Sequence, residues 1–228
     1  MSIRLQPLAS VDPAAFPWAC EPLEEVAAAE PADLAAALGF AMARLAARLD
    51  RDRRPVALVA TPLWSRERGH PFSPGLAAWG LGPERLIWVR AAREDTALWA
   101  LEEALKSGAV AGALAGLAAP SLVATRRLDF AARAGGALGV VLRAQPEGDL
   151  SAARRRWRIQ ARPSGPAAFD PAAPGPARLR AQLTRRRDGP PGAWDLEQDD
   201  ATGGLRLVAG LADHGLAARP GSGGARAA

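Results

Sequence analysis

Short apolar runs of strand length alternate with helix-period stretches from residue 22 to residue 150, and that alternation restricts the chain to an α/β layer architecture. The first unit reads Leu23 to Val26 as a strand, Ala27 to Asp33 as a turn and Leu34 to Leu49 as an amphipathic helix. That helix carries Leu34, Leu38, Ala41, Leu45 and Leu49 on one face, with Asp33 as its N-cap. Pro55 to Ala60 is a continuous apolar run, as expected of a strand buried on both faces. A long loop from Thr61 to Pro74, a short helix to Trp79 and a strand over Leu86 to Val89 follow. Asp95 or Thr96 then caps a helix with Leu98, Leu101 and Leu105 on one face and Glu102 and Lys106 as an i,i+4 pair, ended by Gly108. A weak strand over Val110 to Leu117, a helix over Leu122 to Ala134 capped by Ser121, and a buried strand over Ala137 to Leu142 complete the series. Repeated β-α units of this length predict a mostly parallel sheet with helices on both faces.

After residue 150 the hydrophobic period becomes two. Trp157 and Ile159 alternate with Arg156, Arg158 and Arg162; Leu179, Ala181 and Leu183 alternate with Arg178 and Arg180; Trp194 and Leu196 alternate with Asp195 and Glu197; and Leu205 and Leu207 flank Arg206. These read as half-buried strands of an antiparallel meander. Pro163 to Pro176 is a Pro/Ala/Gly linker inside it. The expected organisation is an irregular segment over 1–21, wrapped on the body, and one domain over 22–210, with an α/β core over 22–150 and the meander over 151–210. The tail over 211–228 is too poor in apolar residues to pack.

The first strand, loop and helix stand in the order in which nucleotide-binding proteins hold a phosphate. Such a loop needs glycines to bring backbone N–H groups close, a lysine for the β/γ-phosphates and a Ser or Thr hydroxyl for Mg²⁺. Here the loop is Ala27, Ala28, Ala29, Glu30, Pro31, Ala32 and Asp33, with no glycine, no lysine and two acids. It should repel a triphosphate.

A formal net charge of +5 comes almost wholly from arginine, because Lys106 is the only lysine. Arg154, Arg155 and Arg156, with Arg185, Arg186 and Arg187, could present a basic face to a phosphate backbone. Against this, Asp195, Glu197 and Asp199 lie on the polar face of the following strand, where opposite charges pair across strands. Stacking aromatics are not interleaved on that face. Of the seven tryptophans, Trp79, Trp88, Trp99, Trp157 and Trp194 fall where the periodicity buries them. Trp64 lies in the long loop beside Arg66, Glu67 and Arg68, and is the best single candidate for an exposed partner-binding anchor. His70, His214 and Cys20 do not form a metal-ligand spacing, and no nucleophile elbow is present. The lone Cys20 fits a reducing compartment, and neither a signal-peptide core nor an 18-residue apolar run occurs, so a soluble cytoplasmic protein with no membrane partner is expected.

Glu24-Glu25-Val26 and Ala35 to Phe40 resemble the opening of the ImuA family, RecA-like accessory proteins of bacterial DNA-damage-induced mutagenesis. The resemblance continues through His70 to Leu76, Gly80 to Leu86, Ala97 to Ala109, Arg156 to Ile159 and Gly192 to Trp194, and covers about residues 20 to 210. It implies an α/β fold with a RecA-like core extended by the meander. Comparison with RecA implies four losses: the phosphate loop, Gly69 before His70 at the activating glutamate, Gly116-Leu117 at the metal-associated aspartate, and Arg143 at the sensing glutamine. Together they argue for an inactive ATPase with no cofactor. The segment after Leu117 and the bridge from Ala144 to Ala153 are short where RecA has DNA-binding loops.

The resemblance implies a non-catalytic adaptor in damage-induced (SOS) translesion synthesis. Its implied partners are an ImuB-type Y-family polymerase homologue, an error-prone replicative-type polymerase and RecA. Two alternatives stand beside it: a SulA-like cell-division inhibitor sharing the reduced core, and a DNA-binding module that uses the arginine face.

Overall fold

The computed structural model describes residues 16–70, 72–143, 150–167, 169–187, 189–199 and 202–208; the predicted tail lies outside them. Nine strands are present: β1 (Leu23–Ala28), β2 (Val56–Ala60), β3 (Leu86–Arg90), β4 (Gly112–Gly116), β5 (Leu138–Arg143), β6 (Arg155–Arg162), β7 (Arg178–Arg186), β8 (Gly192–Gln198) and β9 (Leu205–Leu207). They form one sheet in the order β3-β2-β4-β5-β1-β6-β7-β8-β9. The helices are α1 (Leu34–Leu49), α2 (Pro62–Arg68), α3 (Ser73–Ala78), α4 (Glu94–Lys106) and α5 (Leu122–Gly135). The predicted α/β class is therefore observed: a mostly parallel sheet flanked by helices and extended by an antiparallel meander.

The parallel part includes β6. Val26 pairs with Leu142 of β5 on one side and Trp157 of β6 on the other, both in parallel register. Only β7, β8 and β9 run antiparallel, so the strand expected to open the meander belongs equally to the core. Two apolar layers sandwich the sheet. On one face α1 packs over Leu58, Leu114, Val140, Trp157, Leu183 and Trp194. On the other, α4 and α5 bury Leu101, Leu105 and Leu128 against Leu23, Val59 and Val141.

Several local expectations change. The segment expected as a loop after β2 contains α2, which starts because Thr61 Oγ1 accepts the Trp64 N–H at 3.2 Å and Pro62 occupies the first turn. Helix α4 begins at Glu94 with Arg93 at the N-cap, two positions ahead of Asp95. Glu102 pairs with Arg127 of α5, at 2.6 Å, and not with Lys106. Trp99 is 60% exposed, because its position on α4 faces outward from the sheet. Ser121 caps α5 as expected, its Oγ accepting the Ala124 N–H.

Candidate functional site

The loop between β1 and α1 lies at the carboxyl ends of the parallel strands, where open α/β sheets hold ligands. It is folded down onto β6. The Ala29 N–H donates to Ile159 O at 2.7 Å, and Pro31–Asp33 forms a 3-10 turn. The buried Asp33 carboxylate accepts the Glu30 N–H at 3.0 Å with one oxygen and the Ala161 N–H at 2.9 Å with the other. In a glycine-rich loop, backbone donors of this kind face a phosphate; here a side chain of the loop itself receives them. Asp33 does occupy the N-cap position of α1, but its carboxylate makes no cap hydrogen bond to that helix, which corrects the expected capping role. Its charge still lies at the positive end of α1.

The other three positions lie in different surroundings. A methyl group added to Gly116, the last residue of β4, would run into the Trp64 ring, so the indole fills the space beside that strand end. Trp64 is half-buried in a helix and packs on the α1-side core, which corrects its expected setting in an exposed loop. Gly69 ends α2 with φ +80°, and His70 stacks obliquely on Trp88 at 6.2 Å. Arg143, at the end of β5, is buried 3.9 Å from Glu25.

Two adjacent carboxylates of β1 organise the arginines. Glu24 accepts from Arg44 of α1 at 2.7 and 3.2 Å, from Trp157 Nε1 at 2.9 Å and from the Glu21 N–H at 3.0 Å. Glu25, on the opposite face, accepts from Arg156 Nε at 2.8 Å and from the Ser151 hydroxyl. Burial opposes the charge on Arg44, but the attraction of Glu24 outweighs it and holds the guanidinium protonated.

The arginine clusters are largely taken up inside the molecule. Arg155 is buried, donates to Pro17 O and Ala19 O, and lies 3.7 Å from both Glu21 and Glu24. Arg154 reaches Glu21 and Asp129, and Arg185 donates to Ser151 O at 2.9 Å. Arg186 is half-buried beside Gly189, and Arg187 is exposed. Across the meander, Arg178 and Arg206 hold Glu197 below the usual carboxylate range, Arg178 through the larger hydrogen-bond contribution, and Arg180 and Arg162 approach Asp195. The cross-strand pairing expected from the sequence is therefore present.

Sequence reasoning passed over a second group. Thr61, Ser65, Arg66, His70 and Arg90 surround a cavity of about 270 Å³ at the carboxyl ends of β2 and β3. The signal lay in Arg90, a charged residue ending an apolar strand. Among the described residues no group of three or more His, Cys, Asp or Glu side chains could hold a metal ion, and no helix is long and apolar enough to cross a membrane.

Fold and site together define an α/β protein with a mostly parallel sheet whose β1–α1 loop is held down by its own Asp33 carboxylate. No family model matches the chain. It is 42% identical over 180 residues to Protein ImuA of Caulobacter vibrioides strain NA1000 / CB15N, an alignment covering 73% of this chain and 72% of that protein. Protein ImuA of Caulobacter vibrioides strain ATCC 19089 / CIP 103742 / CB 15 matches with the same identity and coverage. Among solved structures, SulA from Pseudomonas aeruginosa superposes with a TM-score of 0.41 at 24% identity, covering 54% of this chain and 97% of that one. The chain belongs to the ImuA family, and its role lies in DNA-damage mutagenesis.

Proposed function

We propose that this protein is a non-catalytic RecA-like adaptor of damage-induced (SOS) translesion synthesis, acting in the cytoplasm. It binds an ImuB-type Y-family polymerase homologue and supports an error-prone replicative-type polymerase. The observation that carries the reading is Asp33: its carboxylate takes up the Glu30 N–H, a loop donor of the kind a phosphate loop offers its ligand, and ties the loop to the Ala161 N–H of β6. Trp64 against Gly116 supports it, because an indole stands where the metal-associated carboxylate would be needed. A RecA-like core that binds no nucleotide is left with its surfaces, and hence with partners.

Nucleotide linkage tests the degenerate site. A ligand at one hundred times its dissociation constant stabilises by about 2.7 kcal/mol, which in a domain of this size raises the melting temperature by roughly 5–10 °C. Millimolar ATP with Mg²⁺ is expected to move it by less than about 1 °C on that scale; a rise of several degrees would overturn the reading. Co-purification tests the adaptor role. A Y-family polymerase homologue is the expected partner, and recovery of a tubulin-like division protein instead would point to division inhibition. Repeating the co-purification with the chain truncated at residue 210 assigns the contact to the tail if the partner is lost, and to the body if it is retained.

A further inference from the structure

We propose that Arg66, His70 and Arg90 form a phosphate-binding site that, together with the Phe72 ring, holds single-stranded DNA. The site is separate from the loop after β1. Its cavity lies between the last residues of β2 and β3, and β4 and β5 intervene between β2 and β1. At a strand spacing of about 4.8 Å this puts it roughly 14 Å or more away. Trp64, packed over Gly116 of β4, fills part of the intervening space.

Two arginines without a carboxylate mark this cavity. Arg44, Arg54, Arg155 and Arg178 each have buried or paired acceptors. The Arg66 and Arg90 guanidinium groups take part in no ion pair and no hydrogen bond among the described residues, and no carboxylate lines the cavity they share with His70. Two guanidinium groups facing one cavity fit a phosphate, which offers acceptors for both forks. Thr61 adds a neutral donor: its Oγ1 accepts from the Trp64 N–H, so its own O–H is left to donate outward.

The aromatic groups choose among anions. His70 is exposed and packs on Trp88, and two residues on, the Phe72 ring is 72% exposed. Cationic groups for the backbone beside open rings for the bases are the pattern of single-strand binding. The arginine face of the meander has the charge without the rings. An acidic peptide would use the arginines and leave Phe72 idle, so the two ligands differ in what the ring contributes.

The test is anisotropy of a fluorescently labelled oligo-dT of about 20 nucleotides, long enough for one site, titrated with the full chain over a range of salt. Arg66→Ala with Arg90→Ala is expected to weaken binding at least about tenfold at low salt and to flatten the log K against log salt slope by about 1.4, two contacts at 0.7 each. Phe72→Ala is expected to weaken binding about fivefold or more, as loss of one stacked base does, with the salt slope unchanged. Arg51→Ala with Arg53→Ala removes the same charge from exposed positions before β2, at the opposite end of that strand, and is expected to stay within about twofold. Four results would overturn the proposal: no binding by the wild type at low salt, equal weakening by both double variants, unchanged affinity in Phe72→Ala, or poly-glutamate of similar length competing as well as oligo-dT. Displacement of bound oligo-dT by millimolar inorganic phosphate in the wild type supports the phosphate site, and displacement that is unchanged in Arg66→Ala with Arg90→Ala counts against it. Co-purification of the polymerase homologue is expected to survive the Arg66/Arg90 substitutions, so this inference and the adaptor reading fail separately.

Discussion

Glu24 has 0% of its surface exposed, although it is a charged residue in the middle of the sheet beside a second carboxylate, Glu25. A buried carboxylate alone would be prohibitively costly; here Arg44, Trp157 Nε1 and the Glu21 N–H satisfy it, and Arg155 lies 3.7 Å away. Removing one member of such a set leaves the others buried without a counter-charge, so Glu24→Ala is expected to destabilise the fold by about 3–5 kcal/mol, read as a lower urea midpoint. Asp52 behaves differently because it titrates. The Arg54 hydrogen bond, the largest cause, holds its carboxyl down to about 2. A folded-state value below the unfolded one of about 3.9 means stability that is present above about pH 4 and lost as pH falls through about 2. Asp52→Asn is therefore expected to lower the urea midpoint at pH 6 and to match the wild type near pH 2. Burial, the largest cause, pushes the Cys20 thiol above its ordinary value, which keeps the only thiol in its protonated, less reactive form.

At the scale of elements, two contacts are made by the absence of a side chain. A methyl at Gly135, near the end of α5, would run into the Leu105 carbonyl, so glycine lets the last turns of α4 and α5 approach closely. Gly136 then stops α5 in the left-handed conformation, φ +60°, and its carbonyl accepts from Arg48 and Arg54, both at 2.8 Å. At the carboxyl end of the strands, Gly116 and Trp64 fit β4 to α2 in the same way. Gly116→Ala should cost about 1–3 kcal/mol through overpacking, and Trp64→Ala about 2–4 kcal/mol through the lost packing of a half-buried ring. The double variant is expected to be more stable than the sum of the singles predicts, because each change relieves the other. Additive denaturation midpoints across that cycle would show that the ring does not rest on Gly116.

Across the whole molecule, residues 16–22 before β1 act as a strap. The Phe16 ring is buried 5.6 Å from Trp157 and 5.3 Å from Trp194, joining the core to the meander. Behind it, the carbonyls of Pro17 and Ala19 accept from both Arg44 and Arg155, and Trp18 O accepts from Arg44. Phe16→Ala is expected to cost about 3–5 kcal/mol, as for other fully buried aromatic residues, measured by chemical denaturation. A loss below about 1 kcal/mol, typical of a surface position, would mean that the strap does not hold the two halves together. The sheet itself supplies the continuity: β6 is parallel to β1 and antiparallel to β7, so core and meander share one hydrogen-bonded layer.

What was legible in the sequence is what depends on neighbours a few residues apart. Helix α1 has the predicted bounds because its apolar stripe repeats over four turns, and Ser121 caps α5 because a cap is a contact over three residues. Helix α2 was missed because seven residues are too few to show a period, although Thr61 and Pro62 signalled its start. The lack of glycine, lysine and hydroxyl in the loop from Ala27 to Asp33 was equally plain, since it is a matter of residue types. What took their place was not: Asp33 meets Ala161 across 128 residues, and Arg156 meets Glu25 across 131. An arginine with a distant partner and one facing open solvent read alike along the chain. The tertiary structure separates Arg155, consumed inside the fold, from Arg66 and Arg90, because only the assembled sheet and its helices decide which charges find an acid and which line a cavity without one.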